Sequence, residues 1–151
     1  MTDDALFGLA NTVPLLGWLA LAMAPLRRRL AIRLARIVAA VLATGYLLLV
    51  GLALGRASGP MPDLTSLSGL AQAFSNPHVM LIGWVHYLAF DLWVGSWEAE
   101  EAHRVGMPHV LLLPCLALTF LAGPIGLLMF LGLRYARGLA QQPPSHDMRR
   151  V

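Results

Sequence analysis

Four long apolar stretches dominate this chain of 151 residues, each close to the roughly 20 helical residues that cross a hydrocarbon core about 30 Å thick. Backbone polar groups in lipid find no water, so such stretches satisfy their own hydrogen bonds as helices. Composition agrees: 58% of the residues are hydrophobic, 13% are charged, and the mean hydropathy is +0.67. Soluble domains carry about a quarter charged residues, and this chain has too little polar surface to cover a water-exposed globule. The expectation is an all-α integral membrane four-helix bundle, one transmembrane domain over residues 1–137, with a flexible tail at 138–151.

The spans fall at about 5–25, 37–54, 78–97 and 107–133. Asp3 and Asp4 precede the first, and Arg27-Arg28-Arg29 follows it as a stop-transfer pattern. It therefore reads as a retained helix, although Ala22-Met23-Ala24 imitates a signal cleavage site. In the second span, Gly51 and Gly55 form a small-xxx-small pair that lets a neighbouring helix approach; chance placement in a Gly-rich chain explains it equally well. Between the second and third spans, Leu64, Leu67, Leu70, Ala71 and Phe74 recur at helical spacing, which predicts a short helix lying in the interface. Pro108, Pro114 and Gly123-Pro124 interrupt the fourth span and predict a kink or a break.

All 11 basic residues are Arg, and five of them lie between positions 27 and 36. In an apolar chain such a cluster marks a membrane-facing loop rather than a nucleic-acid surface. Four crossings put six Arg on the side of the 26–36 loop and five on the other. The density of the cluster nominates that loop as cytoplasmic, in the cell inner membrane. If instead the Gly123-Pro124 break makes the last segment re-entrant, every Arg except Arg56 shares one side. The lone Cys115 excludes an internal disulfide and a Cys-based zinc or iron–sulfur site. No phosphate loop, nucleophile elbow or nucleotide fingerprint is present in the sequence, and no cofactor is nominated.

Asp91 lies inside the third span, where an aspartate costs roughly 2.5–3.5 kcal/mol to insert. Function is the default explanation: Asp91 as a proton donor, with His86 as a base or hydrogen-bond donor. The structural alternative makes Asp91 an anchor bonded to Ser, Thr or Asn of another helix, and His86 a packing residue. At 100° per residue, Trp84, Tyr87, Leu88, Asp91, Gly95 and Glu98 share one stripe, whereas His86, Phe90, Trp93 and Trp97 share its neighbour. Asp91 and His86 do not pair directly, but a central helix would let both border one cavity. Asn11, in the first span, is placed to bond Asp91 or to form an interhelical hydrogen bond. Trp18, Trp84, Tyr87, Trp93 and Thr119 are further candidates for contact with a ligand, the tryptophans doubling as interfacial belt residues. A metal is not expected; Glu98, Glu101, His103 and His109 supply suitable donor atoms, but their spacing matches no metal motif and the stretch reads as a solvated charged turn.

The run Trp84-Val85-His86-Tyr87-Leu88-Ala89-Phe90-Asp91-Leu92-Trp93-Val94-Gly95-Ser96-Trp97, followed by Pro114 to Leu128 with its Thr119 and Gly123-Pro124, resembles the neoxanthin-synthase-like family named after the abscisic-acid-deficient-four protein of plants. Ala10-Asn11 and Trp18 extend the resemblance over nearly the whole chain. It implies a small four-helix membrane protein acting on a carotenoid or related isoprenoid. In the plant members' reaction an epoxide opens and a neighbouring proton is lost, which asks for an acid and a base but no net redox. Arg-only basic content, Ala/Leu/Gly richness and the lack of a recognisable plastid transit peptide suit a bacterial member. Two other readings stay open, a lycopene-cyclase-like enzyme and a non-enzymatic pigment-binding or assembly factor. The expected partners are membrane lipid, a lipophilic isoprenoid or carotenoid, and further copies of the chain in a homo-oligomer, with no nucleic acid.

Overall fold

A computed structural model of the protein describes residues 2–56 and 63–140. It is all-helical over those residues: α1 (Asp3–Ala22), α2 (Ala24–Arg56), α3 (Leu67–Phe74), α4 (Pro77–Arg104) and α5 (His109–Ala140). Four of the five are long and apolar enough to cross a membrane, and the short α3 sits between the second and third of these.

Local chemistry sets the boundaries. Thr2 caps α1, its side chain accepting from the Ala5 amide, and Asp3 and Asp4 occupy the first turn, where carboxylates suit the positive end of the helix dipole. Asn76 caps α4 with Pro77 just inside it, the position at which proline's missing N–H costs nothing. At the far end of α4, Gly106 takes a φ of 64°, and the Met107 amide reaches back to the Ala102 carbonyl at 2.7 Å. That left-handed stop followed by Pro108 ends the helix.

The stretch expected as a loop at 26–36 is helical. α2 bends at Arg27 and then runs unbroken, because Ala31, Ile32 and Ala35 are buried while Arg28, Arg29 and Arg33 face out. At 33 residues, α2 is about 50 Å long, more than a hydrocarbon core about 30 Å thick requires, so it is long enough for its Arg-bearing turns to stand outside that core. α4 also runs past the expected span end, through Arg104. Of the expected tail, residues 138–140 belong to α5 and 141–151 lie outside the described residues.

α1 and α4 run side by side in the same direction, and α2 runs against them. Asp3 meets His78, Gly17 packs on Leu92 and Gly95 on Trp18, while Arg36 of α2 pairs with Glu100 and Tyr46 lies against His86. The shared core is built from Leu21, Ala35, Ala39, Leu42, Leu81, Val85 and Leu92. One end of the bundle, end A, holds the start of α1, the end of α2, α3 and the start of α4. The opposite end B holds the α1–α2 and α4–α5 turns.

α5 does not run straight. Ala122 is non-helical, with φ −155° and ψ 55°, and the chain turns back on itself there. On the first arm, His109 reaches the Ala22 carbonyl at 2.9 Å and Thr119 reaches Glu98. At the tip, Gly123 packs on Asp91. On the returning arm, Phe130 packs on Trp97 with ring centroids 5.4 Å apart, Arg134 pairs with Glu101 at 2.8 Å, and Arg137 donates to the Gly106 carbonyl at 3.2 Å. The partners on the α4 side run from residue 98 to 91 and then back to 106, so both ends of α5 lie at end B. Of the two sequence readings of the last segment, this is the returning one. The first arm, residues 109–121, is roughly 20 Å long, about the distance from end B to Asp91 along α4.

Candidate functional site

Asp91 stands close to the midpoint of α4, about 20 Å from either end of the helix. Its carboxyl packs on the tip of the α5 hairpin: a Cβ built on Gly123 would lie 3.0 Å from Asp91 Cγ. Oδ2 is buried with no protein hydrogen-bond partner among the described residues. One turn earlier, the Tyr87 hydroxyl faces both the Asp91 carboxyl and the Gly123 backbone. Tyr87 stacks on Trp84 with ring centroids 5.4 Å apart and an interplanar angle of 28°, and Trp84 Nε1 donates to Asn11 Oδ1 at 3.0 Å. Asn11 Nδ2 in turn donates to the Phe7 carbonyl at 2.9 Å. A polar line thus runs from α1 across α4 to the hairpin tip at mid-depth.

Two turns further along α4, Glu98 is 0% exposed and Thr119 is 0% exposed. The Thr119 hydroxyl lies 3.0 and 3.1 Å from the two carboxyl oxygens of Glu98. Next along α4, Glu101 takes a bidentate bond from Arg104 at 2.6 and 2.7 Å and a second ion pair from Arg134. The first arm of the hairpin is therefore fastened to α4 by Glu98, and the second by Glu101.

Several sequence expectations meet this geometry differently. The structure does not bring His86 to Asp91: His86 points to the α2 side, exposed between Tyr46 and Phe90, whose ring centroids lie 5.4 and 4.6 Å away. α4 carries neighbours on both flanks, so the two residues border different surfaces. Asn11 bonds Trp84 rather than Asp91. Thr119 is engaged with Glu98 and has no exposed surface. Trp93 is half exposed, under the Arg36 guanidinium at 5.5 Å. Trp18 packs edge-on against Phe120 at 5.5 Å, above the hairpin tip. Glu98 and Glu101 do not belong to a solvated turn, because the two arms of α5 engage them, Thr119 of the first arm at Glu98 and Arg134 of the returning arm at Glu101. The metal candidates disperse: Glu98 goes to Thr119, Glu101 to two arginines, His109 to a backbone carbonyl, and among the described residues no group of three or more His, Cys, Asp or Glu comes together.

The model of the family described as ABA DEFICIENT 4-like matches residues 5–130. The chain belongs to this family. No curated protein and no solved structure matches it. The matched region takes in the whole line from Asn11 to Gly123 and the Glu98–Thr119 pair, so the family's extent coincides with the helices that build the site.

Sequence reasoning missed Gly123 as the surface on which Asp91 rests, and it missed the Glu98–Thr119 pair. A signal for Glu98 existed, since it shares a stripe with Asp91 seven residues away. The Gly123-Pro124 break permits α5 to double back but does not require it, and without that fold Thr119 and Gly123 have no reason to meet α4. On the opposite face of α4 lies a second feature, a groove of about 1190 Å³ between α1 and α2, lined by residues such as Leu9, Val13, Gly45, Leu49 and Ile82.

Proposed function

We propose that the protein acts on a carotenoid or related isoprenoid within the bilayer, by acid/base isomerisation or rearrangement at Asp91. The observation that carries this reading is a carboxyl group at mid-height of the bundle with one buried oxygen left without a hydrogen-bond partner among the described residues, beside Tyr87. A carboxyl without a cation in hydrocarbon is held in its neutral form by the cost of burying charge, and a neutral carboxyl is an acid available to substrate. Asp91 gives its proton to an epoxide oxygen or a double-bond carbon. The resulting cation is discharged by loss of a proton from the adjacent carbon to the Asp91 carboxylate, which regains what it gave. Bonds are exchanged without change of oxidation state, and no outside proton is consumed. Tyr87 positions the carboxyl and offers a hydroxyl to the same oxygen.

The charge distribution supports an orientation. Among the described residues, Arg27, Arg28, Arg29, Arg33, Arg36, Arg104, Arg134 and Arg137 lie at end B and Arg56 alone at end A. By the positive-inside rule this asymmetry supports the proposed reading, in which end B, with the 26–36 stretch, faces the cytoplasm and the chain makes three full crossings of the inner membrane and one re-entrant hairpin.

The test is the pigment profile, by chromatography and mass, of a carotenoid-producing bacterial host with and without the gene and with Asp91→Asn. A new product that Asp91→Asn abolishes, in a protein still inserted and folded, supports the acid role; an active Asp91→Asn enzyme overturns it. The groove between α1 and α2 favours a second reading, a pigment-binding or assembly role without chemistry. In that case no product appears, and Asp91→Asn leaves bound pigment unchanged.

A further inference from the structure

Below the hairpin tip the seam between α1 and α4 is bare, because α5 turns back at the level of Asp91. Asp3, Asp4, Phe7, Met80 and Trp84 border an open cavity of about 370 Å³ along that seam. Its mouth is acidic: Asp3 is tied to His78 at 3.1 Å, with Asp4 beside it. Its body is apolar, and its inner end is the indole of Trp84, stacked on the Tyr87 that faces Asp91. On the end-B side of Asp91 the same face of α4 is closed by the hairpin, where Glu98 and Thr119 have no exposed surface.

We propose that this seam is the substrate channel, and that it takes a lipophile with an uncharged head beside Asp3 and Asp4 and a chain running inward to Asp91, a reach of about 20 Å along α4. The proposal rests on Asp91 being the reacting group and adds what the substrate must look like. Asp4, together with an Asp3 already bonded to His78, gives the mouth an acidic rim that disfavours a phosphate or carboxylate head relative to a hydroxyl. The covered end-B face stops a molecule from lying along the protein through both leaflets, so the substrate arrives from the end-A leaflet. The flat Trp84–Tyr87 stack suits a ring or a conjugated segment just short of the reacting atom.

The test uses the full-length protein in nanodiscs of uncharged lipid, photolabelled with a sixteen-carbon alcohol carrying a diazirine at its chain end, or with the same chain as an alkyl phosphate. Crosslinks are mapped by mass spectrometry. The alcohol is expected to label Trp84 to Asp91 or the hairpin tip about tenfold more than the phosphate does, the size of effect that two nearby like charges produce at a membrane surface. Met80→Trp, which fills the cavity, cuts that labelling about fivefold or more. Asp4→Lys brings the phosphate to within about twofold of the alcohol. Labelling of the outward α2 residues Leu47 and Leu48, which are exposed, stays constant and reports an intact fold. Equal labelling by the two heads, or label gathered on the α2 side, overturns the channel. Label absent from the seam while Asp91→Asn still abolishes turnover overturns the channel and leaves the acid role standing. Label present in the seam of an Asp91→Asn protein that still turns over removes the acid role and leaves the channel.

Discussion

Gly126 and Gly132 lie on the same returning arm of α5, yet alanine at the two positions is expected to change stability in opposite directions. At Gly132 a Cβ meets nothing within 4 Å, so Gly132→Ala gains only the helix preference of Ala over Gly, about 0.5–1 kcal/mol. At Gly126 the same atom would collide with the Thr119 backbone nitrogen and hydroxyl and stand 2.6 Å from Thr119 Cα. Backbone cannot swing aside like a side-chain end, so the two arms must part, and overpacking of this kind costs about 1–3 kcal/mol. For a chain of this size 1 kcal/mol moves the melting temperature by roughly 2–4 °C. Thermal unfolding in a mild detergent should therefore show Gly132→Ala about 1–4 °C above wild type and Gly126→Ala about 2–12 °C below it. In an α5 running straight through the bundle, residues 119 and 126 would be about 10 Å apart along the axis and the two substitutions would be equivalent. Equal shifts of the same sign would refute the hairpin.

Thr119→Val removes the one hydrogen-bond partner that the buried Glu98 carboxyl has among the described residues and should cost about 1–3 kcal/mol, read as a lower melting temperature; Glu98→Gln, which keeps a partner for Thr119, should cost less than half as much. A reporter fused after Ala140 and the exposed-site variant His103→Cys should respond to membrane-impermeant reagents from the same side, and opposite-side responses would remove the re-entrant arm. At the interface, the Ser66 and Thr65 hydroxyls and the Thr65 amide hold the Asp63 carboxyl down to about 2 from 3.8. The stability this turn gives α3 is therefore fully present above pH 3.8 and lost as the pH falls through about 2. Amide exchange at Thr65 and Gly69 followed down the acid range checks it, and Asp63→Ala should abolish the dependence.

Much of the scaffold was legible from residue types alone. The apolar runs specify helices because lipid allows an isolated segment nothing else, and the Leu64-Leu67-Leu70 stripe marks α3 as interfacial, with all three leucines facing outward. Asp91 stood out for the same reason, a charge-bearing residue where insertion is costly. The length of α2 was not legible: arginines read as loop, yet they are good helix formers whose long stems let the heads reach water while Ala31 and Ala35 pack inside.

What the sequence alone determined is what each segment must do in a bilayer, because partition between water and lipid depends on a segment's own residues. What the tertiary structure decided is which polar groups meet. Pro124 and Gly123 announce a break in α5, but a kinked crossing and a return are locally alike. Only the packing of Phe130 on Trp97 and the pairing of Arg134 with Glu101 select the return, since they are contacts between residues more than thirty positions apart. That return sets Gly123 on Asp91, buries Glu98 on Thr119, gathers the arginines at one end, and leaves the opposite half of the α1–α4 seam open to the membrane.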